Sequence, residues 1–184
     1  MLRERDVPTL RGNHEQYILS GEGCPRSRSA NVCLAAQRAT LTAQSLEWLA
    51  STRPGPVMLG EASLVHGGWR DPIDEYIERV EPDYFAGLDG SVFFAGHTHV
   101  QGLCPLGEGR RFVNPGSVGQ PRDGDWRAAF ALYQPSTADV RLCRVEYDVE
   151  EVGRAMTAAG LDEPLWTCLR AGTRIGGAVS SIVR

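Results

Sequence analysis

Apolar and polar positions follow two different periods along this chain, and the change of period divides it. Residues 29–52 show helical spacing, with Val32, Ala35, Ala36 and Ala39 on one face and Leu46, Leu49 and Ala50 on another. Before them, residues 7–12 (VPTLRG) read as a short buried strand ending in a glycine turn, and residues 1–5 as the last turn of a helix. Residues 21–28 are rich in glycine, proline and serine and form a loop. Residues 57–59 and 62–65 predict two short strands split by a Gly-Glu turn. Residues 71–80 open with Asp-Pro and carry Ile73, Ile77 and Val80 on one side, which predicts a helix. SVFFAG, residues 91–96, has the length and β-rich content of a buried strand. From there the period is two: GLCPL, RRFVN, AAFALY and DVRLCRVEY predict strands joined by GEG and PSTA turns. Asp148 and Glu151 form a D-x-x-E start for a helix through Ala159, and EPLWTCLRAG adds a shorter one. Alternating strands and helices followed by a strand-rich half give an α/β to α+β class, with helices covering a sheet sandwich.

The 184 residues form a single domain by size, residues 1–184, with enough chain for a real core. A hydrophobic content of 42% and a charged content of 23% are those of an ordinary soluble globular protein. The net charge of −4 argues against a nucleic-acid polymer or an anionic membrane as partner. All 19 basic residues are arginine, which suits phosphate recognition but also fits a coding bias. No apolar run approaches the ~20 residues that span a bilayer. The five cysteines have no CxxC spacing and read as reduced thiols of a cytoplasmic protein.

All four histidines, His14, His66, His97 and His99, follow strand-like stretches and sit beside glycine: TLRGNHE, ASLVHGG and FFAGHTH. One histidine after a strand is most often a hydrogen-bonded turn residue, and Asn13 alone would be a turn residue too. Open α/β sheets, however, bind ligands at the carboxyl ends of their strands. Three such ends, each supplying imidazole, point to one metal cluster.

GNHE, VHGG, GHTH and NPGSVGQPRD, in that order, resemble the later motifs of the calcineurin-like metallophosphoesterases, and most of all their small bacterial and archaeal phosphodiesterase-type members. The resemblance implies a four-layer αββα sandwich around two divalent metal ions, with Mn²⁺ expected first and Fe, Ni²⁺, Co²⁺ or Zn²⁺ as other occupants. By it, Asn13, His66 and His97 hold one metal and His99 belongs to the other. His14 is implied as the non-ligating histidine that protonates the leaving oxygen, and Glu15 as a support for that loop. Gln120 and Arg122 are candidates for substrate contact; for Arg122 a salt bridge to Asp123 or Asp125 is the competing expectation. The implied reaction is hydrolysis of a small phosphodiester or nucleotide by a hydroxide activated between two metals.

Two motifs of the resembled family lie outside this pattern: an aspartate-x-histidine and a glycine-aspartate that supplies the carboxylate shared by both metals. Ahead of GNHE the only acids are Glu4 and Asp6. The expectation is an N-terminal truncation by about two βα units, roughly 60 residues. An exposed sheet edge would then invite homodimerisation. A non-catalytic relative acting as an interaction protein is the alternative reading. In a short active chain the missing carboxylate would have to come from elsewhere, with Asp71 or Asp123 as first suspects.

Overall fold

The computed structural model describes residues 2–183. Among them, β1 (Val57–Leu59), β2 (Ala62–Val65), β3 (Val92–Ala95), β4 (Gly102–Gly107) and β5 (Arg110–Asn114) form one sheet in the order β1-β2-β3-β5-β4. A second sheet is the hairpin of β6 (Ala128–Gln134) and β7 (Asp139–Val145). Strands β2, β3 and β5 run parallel, while β1 and β4 are antiparallel at the edges. Every residue of β3 is buried, as expected of a parallel strand covered on both faces.

The period of two sorts its side chains between two cores. Val92 and Phe94 join Ala62 and Val113 against Ala131, Tyr133, Val140 and Leu142 of the hairpin. Phe93 and Ala95 join Val65 and Phe112 on the other face, packed by Ile77, Val80, Phe85 and Trp69. The result is a mixed α/β sandwich, with α1 (Asn13–Ser20), α2 (Arg28–Thr40), α3 (Ala43–Ser51), α4 (Pro82–Phe85) and α5 (Val149–Ala158) around the sheets. No helix of the described residues is long and apolar enough to cross a membrane.

Five local expectations change, the first being that EPLWTCLRAG forms two 3-10 turns, Glu163–Leu165 and Thr167–Ala171, in place of one short helix. The 29–52 region is two helices, because Thr42 turns extended and its hydroxyl accepts the Ser45 amide at 3.2 Å to start α3. The 7–12 strand shrinks to one parallel bridge, Leu10 to Arg53, in which the Arg11 amide donates to the Arg53 carbonyl at 2.6 Å. Residues 3–5 form a short 3-10 turn; Met1 lies outside the described residues. The 71–80 helix does not form. The Asp71 and Pro72 carbonyls are taken by the amides of Gly68 (3.0 Å) and Gly67 (2.8 Å), and the Val80 amide pairs with the Val183 carbonyl. Those bonds fold residues 71–75 back onto the glycines after β2. A side chain on Gly67 would meet the Asp71 carbonyl oxygen at 2.7 Å, so this return requires glycine there.

Candidate metal centre

Parallel β2 and β3 send their carboxyl ends to the same edge of the sheet, and both ends carry histidine. His66 follows β2 directly. His97 and His99 follow β3 in a tight loop where the Thr98 amide reaches the Gly96 carbonyl at 2.7 Å. Both histidines adopt left-handed backbone, φ 62° and 61°, a conformation unusual for residues with a side chain. Fully buried Asn114, at the end of β5, holds them there. Its amide donates to the Gly96 carbonyl and to the Thr98 hydroxyl, both at 2.9 Å, and its oxygen accepts the Gly116 amide.

Asn13 arrives from the other side as the first residue of α1. Gly12 caps that helix, and the Glu15 carboxylate accepts the Gly12 amide at 2.9 Å, the reciprocal half of a capping box. The backbone at Gly12 runs so close to His66 that an added Cβ would lie 2.8 Å from His66 Cε1. GNHE therefore sits at a helix start and not on the sharp turn expected from its glycine.

The three donor atoms meet. His66 Nε2 is 3.1 Å from Asn13 Oδ1 and 3.1 Å from His97 Nδ1. Protons alone serve this arrangement poorly, because one ring nitrogen faces an acceptor oxygen and a second ring nitrogen at once. Ligands held about 2.1 Å from one ion stand about 3.0–3.4 Å apart, depending on octahedral or tetrahedral geometry. The residues fit a single divalent ion bound through two imidazoles and an amide oxygen. Burial pushes His97 down to about 3, helped by neighbouring His66; burial likewise lowers His66. Both rings are therefore neutral, the form that ligates.

His99 is oriented separately. Its Nδ1 lies 2.7 Å from the Gln120 carbonyl, which can only accept, so the ring donates there and leaves Nε2 as the free lone pair. Burial, then the charge of Arg122, lowers His99 to about 4. Among the described residues no group of three or more His, Cys, Asp or Glu side chains is assembled to hold an ion. The first cluster draws one of its three donors from an asparagine.

His14, next to Asn13, is half-buried, and its ring makes no hydrogen bond to a described residue; its nearest ring neighbour is Tyr17 at 6.5 Å. Burial lowers its pKa, against the nearby Glu15 carboxylate, which raises it. Arg122 does not form the salt bridge that competed with substrate contact. Asp123 pairs with Arg144 at 2.5 Å and Asp125 with Arg127 at 2.6 Å. Arg122 instead donates to the Gln120 side chain at 2.8 Å, and its buried Nε has no partner. Neither Asp71 nor Asp123 brings a carboxylate to the cluster: Asp71 caps the amides of Ile73 and Asp74, and Asp123 is held by Arg144 and the Gln101 amide.

Asp74 is the carboxylate that sequence reasoning missed. Its Oδ1 lies 3.3 Å from His97 Nε2. The Tyr17 hydroxyl donates to Oδ2 at 2.9 Å, and Arg26 pairs with Oδ1. Burial and this bond push the Tyr17 phenol up to about 12. A helical reading of residues 71–80 hid Asp74, since only the turn folded onto Gly67 carries it to His97.

The fold has known counterparts. The profile of the calcineurin-like phosphoesterase superfamily domain matches residues 1–137. A metallophosphoesterase of Sphaerobacter thermophilus is 32% identical, with a TM-score of 0.75 over 88% of this chain and 75% of its own. A hypothetical protein of Pyrococcus horikoshii superposes with a TM-score of 0.78 over 94% of this chain and 76% of its own, at 19% identity, which speaks to the fold alone. An uncharacterized protein of Methanocaldococcus jannaschii is 25% identical over 174 residues, 82% of this chain and 70% of that protein. The chain belongs to the calcineurin-like phosphoesterase superfamily, whose chemistry is metal-dependent hydrolysis of phosphoesters.

Proposed function

We propose that this protein is a metal-dependent phosphodiesterase acting on small phosphodiesters or nucleotides. The observation that carries the reading is the meeting of Asn13 Oδ1, His66 Nε2 and His97 Nδ1 at 3.1 Å spacing. Asn13, His66 and His97 hold one divalent ion, Mn²⁺ by preference, and His99 is the donor toward a second. Bound there, divalent ions polarise the phosphoryl oxygens and make water a nucleophile near neutral pH.

The remaining work belongs to the side chains. Arg122, whose guanidinium is oriented by its bond to the Gln120 side chain, binds a non-bridging phosphate oxygen. His14, which makes no hydrogen bond to a described residue, delivers a proton to the leaving oxygen once the anionic phosphoester beside it favours its protonated form against the burial that lowers its pKa. Glu15 holds the Gly12 amide and with it the direction in which α1 presents Asn13 and His14.

A second reading is supported by the donor set: the described residues gather no group of three or more His, Cys, Asp or Glu side chains that would hold a second ion with His99. On it, the chain binds one metal and a phosphate group without turnover. One assay separates the two. Purified chain, supplied with Mn²⁺, should hydrolyse bis-p-nitrophenyl phosphate faster than p-nitrophenyl phosphate if the phosphodiesterase reading holds. Mn²⁺ uptake with no hydrolysis of either compound selects binding without turnover. Preference for the monoester overturns the diester assignment.

A further inference from the structure

The two ring nitrogens of His97 stand in different surroundings. Nδ1 faces His66 and, through it, Asn13. Nε2 is buried and has no hydrogen-bond partner, although Asp74 Oδ1 is only 3.3 Å away, off the line a hydrogen bond needs. Only the direction of the N–H, and not the distance, separates the pair from a hydrogen bond. Asp74 is itself held in place from three elements. Tyr17 of α1 donates to one oxygen, Arg26 of the loop before α2 pairs with the other, and Asp71 accepts its backbone amide at 3.1 Å. Two residues on, the Tyr76 ring packs on His97 with centroids 4.0 Å apart, and the Arg26 guanidinium covers the Tyr76 ring at 5.1 Å. One turn therefore meets the same imidazole by its face and by its edge.

The geometry points to Asp74 as a positioning residue of the metal centre: its carboxylate accepts the Nε2 proton of His97 and so keeps Nδ1 as the lone pair directed at the ion. This rests on the metal-centre reading above. The chemistry is general, since a histidine that ligates through one nitrogen commonly donates its other N–H to a carboxylate, which fixes ring orientation and raises ligand basicity. Tyr17 and Arg26 hold the Asp74 carboxylate from its other sides, so that Oδ1 stays turned toward His97.

The test uses the full chain as wild type, Asp74→Ala and Asp74→Asn, each first checked for a dispersed amide spectrum. Ring proton–nitrogen correlation spectra of the metal-free proteins should show a hydrogen-bonded Nε2 proton on His97 in wild type. Asp74→Ala should lose it, and Asp74→Asn, which keeps an acceptor oxygen, should retain it. Calorimetric Mn²⁺ titration should find binding weakened about 10- to 100-fold in Asp74→Ala, with most of the affinity restored in Asp74→Asn. An unchanged His97 proton signal in Asp74→Ala, or wild-type Mn²⁺ affinity in that variant, overturns the assignment. A wild-type chain that takes up no Mn²⁺ refutes the metal-centre reading itself, and the proton signal of the metal-free protein then decides the Asp74 contact alone.

Discussion

A proton and a metal ion compete for the same lone pairs at His66 and His97, and burial removes the proton from the contest. With His97 near 3 and His99 near 4, both imidazoles are neutral at pH 7 and need no deprotonation to ligate. Asn13 adds an oxygen that never titrates. Substituting Asn13→Ala or His97→Ala should therefore lower the bound Mn²⁺ measured after dialysis, while His14→Ala should leave it unchanged. For a metal-loaded enzyme with an alkoxide leaving group, His14→Ala should cut kcat by about 10²–10⁴-fold, the usual worth of a positioned acid. The loss should shrink with p-nitrophenolate, which leaves without a proton. Loss of a metal equivalent from His14→Ala would make that histidine a ligand instead. For Arg122→Ala, a steady-state comparison should show KM raised roughly 10-fold or more, the scale of one charged hydrogen bond, at unchanged metal content.

The elements matter because the donors are carried by termini of secondary structure and set by close backbone approaches. Gly12→Ala places a methyl 2.8 Å from the His66 ring, so it should weaken Mn²⁺ binding and lower stability in urea by about 1–3 kcal/mol. An unaltered Mn²⁺ isotherm for Gly12→Ala would show that the contact does not set the position of His66. The strands β1 to β7 were legible in the sequence, because apolar runs such as VFFA and alternating ones such as DVRLCRV carry their period within a few residues. Helix α1 was written there as well, in Glu15 three residues after Gly12 and in Gly21 closing the last turn, yet the strand-like residues before it drew attention to a turn. Asp74 was not legible. Its segment has the apolar spacing of a helix, and what defeats the helix is a turn bonded back to Gly67 and Gly68 together with the pairing of Val80 to Val183, a residue far along the chain that local pattern says nothing of. The freeing of Arg122 from Asp123 is likewise a tertiary outcome, since Asp123 is taken by Arg144 from β7, while Asp125 and Gln120 find partners two residues away.

At the scale of the whole molecule, the centre links folding to pH and to metal. Folding lowers the pKa values of His14, His66, His97 and His99, with burial the largest cause in each. Above the unfolded value of about 6.5 these rings are neutral in both states; below it the unfolded chain takes up protons that the fold refuses. Stability of the metal-free protein should therefore be full above pH 6.5 and fall as pH drops toward 4 to 3. Urea midpoints at pH 7.5 and pH 5 check this, and a higher midpoint at pH 5 would reverse the sign. Mn²⁺ at 100 times its dissociation constant should add about 2.7 kcal/mol, which for a domain of this size raises Tm by roughly 5–10 °C. The most direct measurement is anomalous diffraction from Mn²⁺-soaked crystals of the 184-residue chain. The account predicts a manganese peak bonded at about 2.0–2.3 Å to Asn13 Oδ1, His66 Nε2 and His97 Nδ1 together. Full soaking with no peak among those three atoms, or with manganese only on surface carboxylates, would contradict it.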